Sequence, residues 1–198
     1  MKTIGITGGV GAGKSEIINY LEQNYNCRVI KADNLAYELE SPGNVCYAPI
    51  VELLGEDILN EDGFINKNKM AAKIFSDKSL LSKVNGIIHP AVKNYILSSI
   101  EKERKGNRDF FFLEAALLIE EGYHEILDEL WYIRVDSDVR RERLKASRGY
   151  SDEKIDSILA SQRSDEEFTQ FCKVVIDNSK DLANSFAQID SIIAEYLK

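Results

Sequence analysis

Eight residues near the start of the chain, Gly8-Gly9-Val10-Gly11-Ala12-Gly13-Lys14-Ser15, satisfy every fixed position of the pattern GxxxxGK[ST]. Glycines let backbone N–H groups curl inward around an anionic phosphate, so Gly9, Gly11, Ala12 and Gly13 are the expected cradle. The helix that opens behind them adds the partial positive charge of its N-terminus. Lys14 is expected to reach the β- and γ-phosphates of ATP and to follow charge as it moves, and the Ser15 hydroxyl to ligate Mg2+. Glu16 comes next and is counted among the nucleotide-binding residues; a carboxylate there suits the helix dipole and lies near the phosphates, with its side chain expected to point to solvent. Guanine-specific GTPases carry NKxD, and the nearest string, Asn66-Lys67-Asn68-Lys69, lacks the Asp. The chemistry expected is therefore phosphoryl transfer from ATP rather than a GTPase switch.

A phosphoryl donor needs an acceptor base, a metal partner and cations that stabilise the transferring group. Asp33 follows a β-rich run, where carboxylates line the crevice of α/β folds. It reads equally as a base that deprotonates an acceptor hydroxyl and as a helix N-cap. Glu114 ends a run of four apolar residues, and a carboxylate at such a strand end holds magnesium through water in P-loop proteins. Arg140, Arg141, Arg143 and Arg148 fall in one short segment. Two or three of them can close over the phosphoryl group; the bland alternative is a solvated helix face, since Asp138 and Glu142 alternate with them. Arg140 and Arg143 are the expected catalytic pair, with Arg148 on the nucleotide. His89 precedes Pro90 and reads as a helix-start residue, while His124 has no evident partner.

These side chains need a scaffold. Thr3–Thr7 is a short β-rich run, Ser15–Asn24 has helical spacing, and Arg28–Ile30 reads as a second strand. Strand, glycine loop, helix and strand make a βαβ unit and imply a parallel sheet. Phe110–Leu113, Leu130–Val135 and Val174–Ile176 supply three more buried strands, giving a five-stranded α/β core. Helices are expected over Asp138–Ser147 and Asp152–Gln162, and a closing helix carries Leu182, Phe186, Ile189, Ile193 and Leu197. Between Asp33 and Lys105 the pattern is helical, broken at Ser41-Pro42-Gly43 and Glu61-Asp62-Gly63, with Pro90 expected in the first turn of a long helix. That stretch exceeds an ordinary crossover. The expected organisation is a core of about 1–32, 106–136 and 163–198, an inserted substrate-binding subdomain of about 33–105, and an arginine-bearing segment of about 137–162.

Composition narrows the partners. The 198 residues carry a net charge of −8 and no enrichment in Gly or Pro, which fits a folded enzyme and argues against bulk nucleic-acid binding. Three scattered cysteines, Cys27, Cys46 and Cys172, form no CxxC pair and read as reduced thiols. No stretch reads as a signal peptide or a membrane span, so a cytoplasmic protein is expected.

The same residues resemble the dephospho-CoA kinase family along nearly the whole chain. The likeness lies in Ile6 to Ser15, Ala32-Asp33, Gly55, Asp62-Gly63, His89-Pro90, Leu117-Leu118-Ile119-Glu120, Arg143-Leu144, Gln162 and Val174-Val175-Ile176-Asp177-Asn178. The resemblance implies a fold like that of nucleoside monophosphate kinases, with a helical CoA subdomain and residues 137–162 as an arginine-bearing lid, and transfer of the ATP γ-phosphoryl to the ribose 3′-hydroxyl of dephospho-CoA. It implies that Asp33 is the base, that His89 and Glu114 serve the substrate, and that Asn178 lies near the adenine. It implies a monomer or weak homo-oligomer acting on a small molecule. Lys31 stands where the family often has Asp, and Glu114, Ala116 and Ile119 stand where Asp, Pro and Phe are usual.

Overall fold

In the computed structural model, which describes residues 1–198 apart from the side chain of Lys78, the chain divides into two compact units. One comprises Met1–Val29 with Gly106–Lys198; the other is Ile30–Lys105.

The first unit is built on a sheet. Strand β1 is Lys2–Thr7, β2 is Cys27–Lys31, β3 is Phe110–Glu114, β4 is Glu129–Arg134 and β5 is Val174–Asp177, in the order β2-β3-β1-β4-β5. The last two residues of β2 belong to the second unit. β1 runs parallel to both neighbours, with Ile6 opposite Glu114 on one side and Trp131 on the other. Strand order therefore reverses across β1, and its carboxyl end is the switch point at which open α/β sheets bind ligands. β1 can be central because it is buried on both faces. Ile4 and Ile6 are fully buried against Ile17, Ile18 and Leu21 of helix α1 (Lys14–Asn24) and Ile189 and Ile193 of α9 (Leu182–Tyr196). Gly5 faces the other way, where a Cβ would lie 2.5 to 2.9 Å from Leu130, Leu118 and Leu127. Burying each of these aliphatic side chains contributes about 1.5–3 kcal/mol.

Between β4 and β5 run α6 (Ser137–Arg148), α7 (Asp152–Ala160) and α8 (Asp165–Phe171). Two helices were expected there, and α8 is the third. It is short, and it is fixed by tertiary and capping contacts rather than by a long apolar stripe. Phe168 stacks on Tyr132 with ring centroids 4.4 Å apart, and Ser164 and Glu167 form a reciprocal capping box.

The second unit is helical: α2 (Ala32–Leu39), α3 (Tyr47–Leu54), α4 (Lys67–Ser76) and α5 (Lys78–Arg104). Both expected breaks are present, with Gly43 and Gly63 at positive φ. Pro90 corrects the sequence reading, because it lies in the middle of α5 rather than in a first turn. The reason is the periodicity around it. Val84, Val92, Ile96 and Ile100 are buried at four-residue spacing, while Pro90 and Gly86 are exposed. The missing Pro90 N–H thus costs one backbone bond on the solvated side. No helix among the described residues is long and apolar enough to cross a membrane.

Candidate active site

The glycine loop leaves the carboxyl end of β1 and turns into α1. Gly13 is the N-cap of α1 at φ 82°, and no side chain caps the helix. The first amides of α1 are therefore left for an external anion, as a phosphate site requires. A side chain at Gly13 would also meet Asn178 Nδ2 at 2.4 Å. At Gly9 the constraint is close approach, since a Cβ there would stand 2.1 to 2.6 Å from Arg140 and Gln162.

Lys14 folds back over this loop. Its Nζ donates to the Gly8 carbonyl at 2.9 Å and lies 3.8 Å from Glu114 Oε1, in a part-buried setting. β3 brings Glu114 there, because it ends one residue beyond the position paired with Gly5. Ser15 and Glu16 are exposed in the first turn of α1. The donor set suits magnesium. Ser15 and Glu114 are hard oxygen donors, and no cluster of three or more acidic, His or Cys side chains is found among the described residues. Magnesium is held by one or two protein oxygens together with substrate phosphates and water.

The four arginines separate by their surroundings. Arg141 donates to Asp152 at 2.9 Å and also to Asp156, while Lys145 bonds Asp152 at 2.8 Å, tying α6 to α7. Arg143 donates to the Lys180 carbonyl at 3.4 Å. Arg148 is exposed, 5.8 Å from the Tyr150 ring centroid. Arg140 bonds the glycine loop itself: Nε donates to the Val10 carbonyl at 2.6 Å and Nη2 donates to Gln162 Oε1. Burial holds its pKa below the ordinary arginine value, against the pull of Tyr132 and Asp165.

Asn178 lies immediately after β5 and is 1% exposed. Its Nδ2 donates to the Ala12 carbonyl at 2.8 Å, and its Oδ1 accepts from Ser185 at 2.8 Å. The side chain braces the loop at the Ala12 carbonyl. Three contributors carried no clear chemical signal in the sequence. Gln162 bonds the loop at Val10 N–H. Arg134 ion-pairs with Asp136, Asp165 and Asp177 at 2.7, 2.9 and 3.3 Å. Ser185 is a buried polar residue on the core face of α9, where an aliphatic one would be the default.

Two candidates belong to the helical unit. Asp33 is exposed at the second position of α2, whose N-cap is Lys31, with no side-chain cap bond. The N-cap alternative for Asp33 is therefore not what the structure shows. His89, part-buried, sits within α5, not at a helix start, for the reason given for Pro90.

A phosphate loop at the switch point of a five-stranded parallel sheet, with a lysine over the loop, defines the fold of a P-loop kinase. The family described as dephospho-CoA kinase (CoaE) matches residues 2–184. The dephospho-CoA kinase of Streptococcus mutans is 36% identical over 190 residues, covering 96% of this chain and 95% of its own. That of Corynebacterium efficiens is 34% identical over 197 residues, covering 100% and 98%. The solved dephospho-CoA kinase of Campylobacter jejuni shares the fold, with a TM-score of 0.75 at 22% identity and coverage of 98% and 97%. The chain belongs to the dephospho-CoA kinase family, whose kinases catalyse the last step of coenzyme A biosynthesis.

Proposed function

We propose that the chain transfers the γ-phosphoryl of magnesium-bound ATP to the ribose 3′-hydroxyl of dephospho-CoA, releasing CoA and ADP. The observation that carries this reading is Lys14 seated over the glycine loop, between the Gly8 carbonyl and Glu114, next to uncapped helix amides. The backbone of Gly9, Gly11, Ala12 and Gly13 binds the phosphates, and Lys14 offsets the charge that builds on the leaving β-phosphate oxygen. Ser15 and Glu114 are the oxygens that would hold magnesium, which supplies electrostatic stabilisation of the phosphates. Arg140 and Arg143 present guanidinium groups to the transferring group, and Arg148 contacts the nucleotide. Asp33 accepts the proton of the attacking hydroxyl as the P–O bond to ADP breaks. His89 binds the acceptor, and Asn178 holds the loop edge beside the nucleotide. The helical unit binds the long pantetheine arm, whose remote binding energy positions the hydroxyl. We read the protein as cytoplasmic, monomeric or weakly self-associating, and without a nucleic-acid partner.

Acceptor-dependent ADP release tests the assignment. Dephospho-CoA should turn over, while AMP, UMP and simple sugars should react poorly and acceptors lacking the pantetheine arm should lose kcat/KM. Faster turnover of a nucleoside monophosphate would move the chain to another small-molecule kinase activity.

A further inference from the structure

Gln162 has no role in the reaction as described so far, yet its carboxamide oxygen is shared by the two halves of the phosphate site. Oε1 accepts the Val10 N–H of the glycine loop at 3.3 Å and accepts Arg140 Nη2. Arg140 Nε closes the triangle on the Val10 carbonyl at 2.6 Å. A single neutral oxygen thus fixes both the loop and the Arg140 guanidinium.

The turn that follows Gln162 is anchored twice. Arg163 Nε bonds Glu120 at 2.6 Å. Three residues beyond Gln162, Asp165 accepts from Tyr132 at 2.7 Å and from Arg134 Nε at 2.9 Å, both on β4. Gln162 is therefore tied to β4 through Asp165, whereas Arg140 comes from α6. We propose that Gln162 is the positioning residue for Arg140, holding its guanidinium over the glycine loop with a neutral acceptor so that its full charge faces the transferring phosphoryl group.

Neutrality is central to this. A glutamate at the same place would accept the same two hydrogen bonds, and would strengthen the one from Arg140. It would also offset the arginine's charge where that charge is needed. A residue that only staples the lid would work better as Glu; one that orients a catalytic cation would work worse.

The inference rests on the reading of Arg140 as a phosphoryl-stabilising residue, and a double-mutant cycle separates the two. With ATP and dephospho-CoA, Arg140→Ala should lower kcat about 10²–10³-fold. Gln162→Ala should lower it about 10–100-fold, the scale set by misplacing a catalytic group. The double variant should fall no more than about threefold below Arg140→Ala, because Gln162 acts through Arg140. Gln162→Glu should keep or raise the thermal midpoint while lowering kcat about tenfold or more. If Gln162→Ala fails to fold, Gln162→Glu decides alone. Additive losses in the cycle, or wild-type kcat in Gln162→Glu, would overturn the positioning role. An impaired Arg140→Ala beside an unimpaired Gln162→Ala would overturn it while leaving Arg140 in place. Wild-type kcat in Arg140→Ala would remove the reading of Arg140 and this inference with it.

Discussion

Lys14 and Asp33 carry the sharpest expectations because neither side chain is part of the core. The Lys14 ammonium bonds a backbone carbonyl and approaches Glu114, so its removal leaves no apolar cavity. Lys14→Ala should keep the wild-type circular dichroism spectrum and lose turnover by about 10²–10³-fold, the scale for deleting a group aimed at developing charge. Near-normal turnover in the folded variant would contradict the phosphate-loop assignment. At Asp33 the contrast is between catalysis and stability. α2 has no side-chain cap bond, so Asp33→Asn should shift stability by less than about 0.5 kcal/mol, as for an ordinary surface change. The same variant should lose far more kcat than ATP affinity, because asparagine cannot take the acceptor's proton. Unchanged kcat, measured with an ATP titration, would remove Asp33 from the base role. The sequence made these two positions legible because each is defined by its neighbours along the chain. It could not give Gln162 its chemistry. The partners that reveal it, Val10 and Arg140, are 152 and 22 residues away.

Elements were legible where apolar spacing was strong. Ile17, Ile18 and Leu21 marked α1, and Phe110-Phe111-Phe112-Leu113 marked β3. Local punctuation misled in two places. Pro90 reads as a helix start from its own chemistry, but the buried stripe of α5 runs through it. α8 is too short to display a period, and its stacking on Tyr132 is visible only in three dimensions. A buried carboxylate at the start of β4 gives the sheet a pH dependence. Burial acts to raise the pKa of Glu129, but hydrogen bonds from Tyr196, Trp131 and Lys2 outweigh it and hold the value below the ordinary glutamate range. The Trp131 bond is 2.8 Å and Lys2 Nζ is 3.1 Å away. With the folded pKa depressed, the stabilisation is fully present above the unfolded value, about 4.3, and is lost as pH falls through the folded value. Glu129→Gln should therefore cost about 1–3 kcal/mol at pH 7. Its thermal midpoint should also fall less steeply than wild type as pH drops from about 5 to below 4. Parallel midpoint curves for the two proteins would contradict this role for Glu129.

For the molecule as a whole, the parallel sheet places the glycine loop, Glu114 and Asn178 at the carboxyl ends of β1, β3 and β5. Residues more than 160 apart, such as Ala12 and Asn178, meet there. The sequence yielded the strands and the parallel class through its βαβ start and its apolar runs. The order of the strands was available only through family likeness, because pairing of distant strands leaves no local trace. The helical unit Ile30–Lys105 is a compact body in its own right. Where the phosphoryl group lands is read by incubating the purified chain with magnesium, ATP and dephospho-CoA and identifying the product by mass spectrometry and phosphorus NMR. One added phosphoryl group on the ribose 3′ oxygen, giving a product identical to CoA, is expected, with one ADP formed for each. A phosphoryl group on any other hydroxyl, or ATP binding without an acceptor product, would contradict it.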